Sequence, residues 1–256
     1  MRAAIRVEWL KLRRSRMSQI AAILVGVGVP ALNAGFLVAA TRGPADAPLA
    51  IKVNAMLVGQ GWTAYLGMLA QILSVMSFLG VGFVVAWCFG REFTDHTITG
   101  LYALPTSLRT IAAAKSIVLL AWSMALSLIT LAAAFALAPL AGLPAPTTDV
   151  LEPAAKVLAV GVNGALLAYP LAFIASAARG YLPAIAALIL IVVATQILTV
   201  IGVGAWVPYA ATSLWAGMGG PAAAATIAPH HLALIPLTAA TGVAATLWWW
   251  RRMQVI

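Results

Sequence analysis

The sequence predicts an all-α integral membrane protein with six transmembrane helices. Of its 256 residues, 63% are hydrophobic and only 8% are charged, and the mean hydropathy is +1.02. An ordinary soluble domain is about half apolar and about one quarter charged, so a soluble fold cannot bury this much apolar surface. The apolar residues also fall into long runs, and a helix needs roughly 20 apolar residues to cross a bilayer.

Six apolar runs, separated by polar or Gly/Pro-rich breaks, meet this length requirement. In chain order they cover residues 18–40, 64–88, 112–140, 157–178, 182–202 and 231–250. Only Arg179, Gly180 and Tyr181 separate the fourth run from the fifth. The count of six therefore requires an exposed turn at these three residues.

The basic residues predict the orientation of the chain. If the N-terminus is inside, all lysines and arginines except Arg42, Lys52 and Lys156 lie on the cytoplasmic side. Such a positive-inside bias is typical of multi-pass proteins of the cytoplasmic membrane. We therefore expect this localisation, with both termini in the cytoplasm.

Two further segments are predicted outside the spans, and together with them form one domain over residues 1–256. Residues 1–17 are predicted to form an interfacial helix, on which Ile5, Trp9 and Leu12 make an apolar stripe. Residues 205–229 are apolar but contain several prolines and glycines. Two interpretations remain open for this outer segment: a hairpin of two short interfacial or re-entrant helices, or an ordinary external loop.

The ionisable residues argue against several classes of function. All acidic residues are predicted outside the spans, which disfavours an ion-coupled carrier with a buried carboxylate. Lys115 and Ser116 resemble the end of a phosphate-binding loop, but Arg109 and Ala114 occupy its two glycine positions. We therefore expect no catalytic residue and no cofactor in this chain. We also expect no nucleic-acid partner, because basic and aromatic residues do not interleave on a polar stretch.

The histidines offer little for a metal site. Besides His96, the chain has only the adjacent pair His230 and His231. Neighbouring residues on a helix point about 100° apart, so this pair is a poor bidentate ligand, and we expect no metal.

Four uncharged polar residues are predicted at membrane depth. They are Asn33, Gln71, Asn163 and Gln196. Each is a candidate for lining a substrate path or, alternatively, for a hydrogen bond between helices.

The segment 91–109 joins the second and third spans and is too long for a tight turn. A short helix is predicted to begin near Glu92, whose charge suits a helix N-terminus, and to end before Pro105. One side of this helix carries Phe93, Thr97, Gly100, Leu101 and Leu104. These residues form either a knob that enters a groove on a cytoplasmic partner or the apolar face of a helix lying on lipid.

This segment resembles the coupling-helix region of ABC-2 type permeases. The resemblance lies in the order of an acidic residue, Thr-Ile, Leu, Pro and Arg, followed by a span that starts near a lysine. Residues 8–15 (EWLKLRRS) are similar to the membrane-surface helix that precedes the first span in that family. In its length and its lack of large extra domains, the chain most resembles the permeases of bacitracin- and lantibiotic-type resistance exporters. Polysaccharide exporters are the nearest competitor.

The resemblance implies the membrane subunit of an ATP-driven exporter for a hydrophobic or amphiphilic substrate, such as a peptide antibiotic, a drug or a lipid-linked molecule. It implies two ABC ATPase subunits, which bind ATP and Mg, and a second permease, identical or related. Two other functions remain open: a membrane assembly or sensing protein that is coupled to an ATPase without net transport, and an ion-coupled carrier.

Transferred onto this sequence, the family's coupling element comprises Glu92, Phe93, Thr97, Ile98, Leu101, Pro105 and Arg109. The neighbouring surface-helix residues are Glu8, Trp9 and Arg13. On this basis we expect Leu101 to fill an apolar part of the ATPase groove. Glu92 is expected to fix the short helix through its terminus or through a basic group of the partner.

Overall fold

The computed structural model describes residues 1–44 and 46–253 as a helical bundle without strands in that part of the chain. Six helices are long and apolar enough to cross a membrane, which confirms the predicted all-α membrane fold. These spans cover Arg16–Arg42, Gly61–Thr94, Leu108–Ala141, Thr148–Ala177, Tyr181–Val200 and Pro229–Arg252. Most of them extend a few residues beyond the apolar runs, because a helix continues into the polar flanks until a turn signal stops it.

Prolines explain the irregular first and fourth spans. The first span contains a π-helical turn, Leu24–Gly28, directly before the segment Val29–Arg42 that carries Pro30. The fourth span is divided into Leu151–Leu167 and Pro170–Ala177. A proline lacks the N–H that the helix needs and its ring displaces the preceding turn, so the regular α-helix is interrupted near these positions.

The chain turns between the fourth and fifth spans, as the count of six requires, and Arg179 is exposed there whereas Gly180 and Tyr181 are half-buried. Arg179 occupies this turn in a left-handed conformation with φ 54°. The turn lies directly against the second span: a Cβ atom added to Gly90 would lie 2.7 Å from the carbonyl carbon of Gly180 and would also meet the backbone of Tyr181. Only a glycine allows these two backbones to approach so closely.

The two ends of the bundle carry different short elements. One end, here called the basal end, holds the N-terminal helix Arg2–Arg14, the connection between the second and third spans, and the turn at Arg179. The opposite, apical end holds the helix Pro48–Met56 and the segment between the fifth and sixth spans. The basal end is the one predicted to face the cytoplasm.

The apical helix Pro48–Met56 was not predicted, because its nine residues are too few to cross a membrane. Between the fifth and sixth spans the structure has a 3-10 turn, Gly204–Trp206, and two short helices, Pro208–Ala216 and Gly220–Ala225. The first of these helices packs into the bundle and buries Ala210, Ala211 and Thr212. Of the two interpretations of residues 205–229, the two-helix hairpin describes the backbone.

The N-terminal helix turns its predicted stripe partly towards the protein. Leu12 is buried and Ile5 half-buried, whereas Trp9 remains 42% exposed. The same face presents Glu8 and Lys11 to the bundle. The helix therefore docks on the protein through a mixed apolar and charged face and leaves Trp9 at its margin.

Candidate functional site

Four charged side chains meet inside the basal end and are here called the basal cluster: Glu8, Lys11, Glu92 and Lys115. The Lys115 Nζ lies 2.8 Å from Glu8 Oε2 and 2.8 Å from Glu92 Oε1. The Lys11 Nζ lies 3.1 Å from Glu8 Oε1 and 3.2 Å from Glu92 Oε1. Each carboxylate thus contacts both lysines, and the two positive and two negative charges balance.

The basal cluster is largely removed from solvent. Glu92 is 2% exposed, Lys115 is 3% exposed and Glu8 is also buried, whereas the Lys11 side chain is 34% exposed. A buried charge is tolerated only when it is paired and hydrogen-bonded. Lys115 meets this condition, because its ammonium group has three protons and donates to Glu8, to Glu92 and to the carbonyl of Cys88, which lies at 3.3 Å.

Local helix geometry brings these residues together. Glu8 and Lys11 are three residues apart and share one face of the N-terminal helix. Cys88 and Glu92 are one turn apart at the end of the second span, so a single lysine reaches both the carbonyl and the carboxylate. Lys115 projects towards them from the second turn of the third span.

The N-terminal helix is fixed against the first span by a capped joint. The Ser15 hydroxyl accepts a hydrogen bond from the backbone N–H of Ser18, as a helix N-cap does. The Ser18 hydroxyl donates to the carbonyl of Leu12, and the Gln19 side chain donates to the carbonyl of Arg13 at 3.0 Å. The joint therefore sets the angle at which the N-terminal helix presents Glu8 to the cluster.

The connection between the second and third spans is tied to the basal cluster by a hydrogen bond. The Thr97 hydroxyl donates to Glu92 Oε2 over 2.6 Å. Thr97 directly precedes a short helix, Ile98–Tyr102, here called the loop helix. Thr97 therefore connects the loop helix to Glu92 and, through the two lysines, to the third span and the N-terminal helix.

The prediction that this short helix begins near Glu92 is wrong. The second span continues to Thr94, and Glu92 lies in its last turn rather than at a helix N-terminus. The chain then reverses at His96, which has φ 55°. The physical reason is that Lys11 and Lys115 hold the Glu92 carboxylate inside the bundle, so it is neither free to cap another helix nor accessible to a partner.

Leu101 is also placed differently from the expectation. It is 9% exposed and packs into the hydrophobic core, so it offers little surface to the predicted groove of a partner. Phe93 is buried against Trp250, with ring centroids 6.2 Å apart, and Ile98 is half-buried. Thr97 is exposed, and Arg109 is exposed in the first turn of the third span. The other exposed positions of the connection are Asp95, His96, Thr99, Gly100, Ala103, Leu104, Pro105 and Ser107.

The loop helix rests on the bundle near the turn at Arg179. Tyr102, its last residue, is half-buried, and the hydroxyl has no hydrogen-bond partner among the described residues. Burial raises the pKa of the Tyr102 phenol above its usual value, while the charge of Arg179 acts in the opposite direction. With Leu101 in the core, the helix is therefore anchored on its inner side and free on its outer side.

Trp250 links the fourth and sixth spans to the same region. Its Nε1 donates to the Ser176 hydroxyl at 2.8 Å, and its ring stands edge-on to Phe89 and Phe93 at centroid distances of 5.9 Å and 6.2 Å. No sequence pattern pointed to Ser176 or to Lys11 as part of a site, and Lys115 was considered only for its resemblance to a phosphate-binding lysine. A signal existed for Lys115, because a lysine inside a predicted span requires a partner.

The expectation that every acidic residue lies outside the spans is wrong. Glu92 is in the second span, and Asp149 and Glu152 are in the first turns of the fourth. The latter two are exposed at the apical end. Glu92 is buried, but two lysines neutralise it, so it is not the solitary membrane carboxylate that marks an ion-coupled carrier.

The four polar candidates for a substrate path do not converge. The Asn33 side chain donates to the carbonyl of Tyr65 at 3.1 Å and Gln71 to that of Met56 at 2.9 Å, which are hydrogen bonds between helices. Gln71 lines an apical cavity of about 480 Å³, and Gln196 lines a separate one of about 30 Å³. Asn163 is half-buried in the fourth span.

The adjacent histidines approach each other rather than diverge. The Nε2 atoms of His230 and His231 are 3.1 Å apart, and the Nδ1 of His231 accepts the N–H of Ala228 at 3.1 Å. In the neutral imidazole this leaves the proton on Nε2, which then donates to His230. The described residues contain no group of three or more potential metal ligands.

Comparison with known proteins agrees with this architecture. The family model described as ABC-2 family transporter protein matches residues 4–196, which include most of the N-terminal helix, all four residues of the basal cluster and the loop helix. Searches against curated proteins and against solved structures found no match. Because the family match covers well over half of the sequence, the chain belongs to the ABC-2 family of transporter proteins.

Proposed function

We propose that this membrane permease subunit of an ABC transporter is an exporter subunit that moves a hydrophobic or amphiphilic substrate out of the cytoplasm or the inner leaflet. A peptide antibiotic, another hydrophobic drug or a lipid-linked molecule fits this class. Two ATPase subunits supply the energy, and a second permease, identical or related, completes the pathway. The observation that carries the proposal is the basal cluster, which joins the loop helix to two spans and the N-terminal helix.

The state of Lys115 supports a division of labour between permease and ATPase. Its ammonium group is buried and fully used by Glu8, Glu92 and the Cys88 carbonyl. The lysine that resembled a phosphate-binding residue is therefore not available to a nucleotide. In this proposal ATP and Mg bind to the partner subunits alone.

The outer face of the loop helix and the residues after it form the proposed docking surface for the ATPase. Leu104 is 50% exposed and is flanked by Gly100, Ala103 and Pro105, which are also exposed. A leucine surrounded by small side chains is a protruding apolar anchor, the shape that enters a hydrophobic groove. In this revised assignment Leu104 replaces Leu101 as the partner-facing residue.

The inner face of the same element is proposed to transmit the movement. Leu101 holds the loop helix on the bundle, and Thr97 connects it to Glu92. Ion pairs from Glu92 then reach Lys115 on the third span and Lys11 on the N-terminal helix. Closure of the ATPase subunits would thereby tilt several helices together rather than one loop alone.

The composition of the spans supports a substrate with large apolar parts. Among the four polar candidates Asn33, Gln71, Asn163 and Gln196, Gln71 has the strongest case, because it lines the larger cavity. The lining of that cavity includes apolar residues such as Leu66 and Ala216 and the charged residues Asp149, Glu152 and Lys156, which suits an amphiphilic substrate. The other three remain proposals for substrate contact.

Co-purification with the ATPase subunits tests the docking surface. Leu104→Asp places a charge in the proposed groove, and truncating an anchor commonly costs more than about 1.4 kcal/mol, so binding should fall at least about tenfold. Leu49→Asp is a matched control, because Leu49 is similarly exposed, at 44%, but lies on the apical helix. Normal ATPase binding by monodisperse Leu104→Asp protein would refute the docking assignment and favour a loop helix that rests on lipid.

A further inference from the structure

A cavity of about 140 Å³ lies at the basal end, on the side of the N-terminal helix that faces away from the basal cluster. It is lined by Trp9, Arg13, Ser18, Gln19, Ala22 and Trp122. These residues come from the N-terminal helix, the first span and the third span. The lining combines two tryptophans with the polar residues Arg13, Ser18 and Gln19, and Arg13 is exposed.

The surface around this cavity carries a positive charge that the chain does not neutralise. Arg2, Arg6, Arg13, Arg14 and Arg16 are all exposed. Among the described residues, none of these five arginines forms an ion pair. The only carboxylate of the helix, Glu8, is occupied by Lys11 and Lys115, so the counter-ion for the arginines must come from outside the chain.

The backbone of Arg13 is held against the first span. Its carbonyl accepts a hydrogen bond from the Gln19 side chain at 3.0 Å, across the capped joint to the first span. Trp9 is one turn before Arg13 on the same helix. Trp9 and Arg13 therefore line the cavity from one helix whose end is fixed to the first span.

We propose that this cavity is a binding site for the headgroup region of an anionic phospholipid, with Arg13 at the phosphate and Trp9 and Trp122 beside the glycerol and upper acyl chain. Tryptophan prefers the membrane interface, and a guanidinium group binds phosphate through two parallel hydrogen bonds. A zwitterionic lipid is disfavoured, because its ammonium group would face the five arginines. The site is independent of the direction of transport and of the substrate.

Native mass spectrometry of the detergent-purified chain, titrated with phosphatidylglycerol or phosphatidylcholine, tests this site. The wild type should bind phosphatidylglycerol more tightly than phosphatidylcholine. Arg13→Gln should lower the affinity for phosphatidylglycerol about fivefold, which corresponds to about 1 kcal/mol per arginine near an anionic surface. Arg14→Gln is the matched control, because it removes the same charge from a neighbouring exposed residue that does not line the cavity; a clearly smaller loss is expected.

Equal affinity of the wild type for both lipids would overturn the proposal. Equal losses in Arg13→Gln and Arg14→Gln would also overturn it, in favour of diffuse attraction to a basic surface. Retention of phosphatidylglycerol only by a dimeric species would show instead that a second copy of the chain covers the cavity. Trp9→Ser provides an additional variant from an exposed position, and it should weaken phosphatidylglycerol binding without changing the elution volume.

Discussion

Replacing Lys115 by methionine removes one positive charge from the basal cluster while keeping an unbranched side chain. Glu8 and Glu92 are then left with Lys11 alone, which lies 3.1 Å and 3.2 Å from them and is partly exposed. One negative charge remains without a buried counter-ion. Breaking a buried ion pair from one side commonly costs about 3–5 kcal/mol, and we expect the lower part of this range because Lys11 remains.

A second substitution separates charge imbalance from simple loss of packing. Lys115→Met combined with Glu92→Gln leaves one carboxylate, Glu8, paired with one lysine, Lys11, and restores neutrality. The double variant should therefore be more stable than the sum of the two single losses predicts, by about 2–3 kcal/mol, within the range found for residues in direct contact.

Denaturant-induced unfolding in detergent micelles, followed by tryptophan fluorescence, measures the four free energies of this cycle. Lys52→Met, which removes an exposed lysine of the apical helix, is the control and should change the free energy of unfolding by less than about 0.5 kcal/mol. If the Lys115 and Glu92 losses add within about 0.5 kcal/mol, the two side chains do not interact and the basal cluster is not a connected unit.

Three further predictions concern packing, topology and energy supply. Gly90→Ala should lower stability by about 1–3 kcal/mol in thermal unfolding, because its Cβ meets backbone that cannot yield, whereas Gly67→Ala has no neighbour within 4 Å and should not destabilise; equal effects would contradict the close helix contact. In a Cys88→Ala background, a membrane-impermeant thiol reagent applied to intact cells should label a cysteine placed at Gly219 but not one placed at Thr97. Labelling at Thr97 would show that the chain has the opposite orientation in the membrane. The purified chain should hydrolyse no ATP without its ATPase subunits, and turnover by the contaminant-free chain would disprove this.

Much of the architecture could be predicted because the bilayer imposes it. A spanning helix must be about 20 residues long and apolar, so six runs in the sequence became six spans in the structure. Even the narrow turn at Arg179 followed from one charged residue between two apolar runs. For topology, Ala45 was another position predicted to be external, and it lies outside the described residues.

The basal cluster could not be predicted because it depends on contacts between distant parts of the chain. Glu8 and Lys115 are separated by 107 residues, and no local periodicity relates them. Lys115 did lie inside the predicted third span, and a search for its partners would have pointed to the carboxylates near the same membrane face. The expectation drawn from the acidic residues did not use the position of Lys115 inside a span.

The orientation of the loop helix could not be predicted from the sequence either. Leu101 and Leu104 fit the same helical stripe, so spacing alone cannot decide which of them faces a partner. The structure separates them, because the helix is only five residues long and docks on the bundle through Leu101. Burial of Glu92 by two lysines shifted the start of that helix, and thereby changed which side chains point outwards.

The central claim is that nucleotide on the partner moves this permease through Thr97 and Glu92. The most direct test measures the fluorescence of a label at the apical end of the permease, in the complex with its ATPase subunits. A bimane label on Ala224→Cys, in the Cys88→Ala background, reports changes at the apical cavity. Addition of ATP should change its fluorescence in the wild type and in Thr97→Ser, which keeps the hydroxyl. Thr97→Val removes a hydrogen bond to a charged group, worth about 1.5–3 kcal/mol, and should strongly reduce the change while ATP hydrolysis continues. An undiminished ATP-driven change in Thr97→Val, or none in the wild type, would contradict this mechanism.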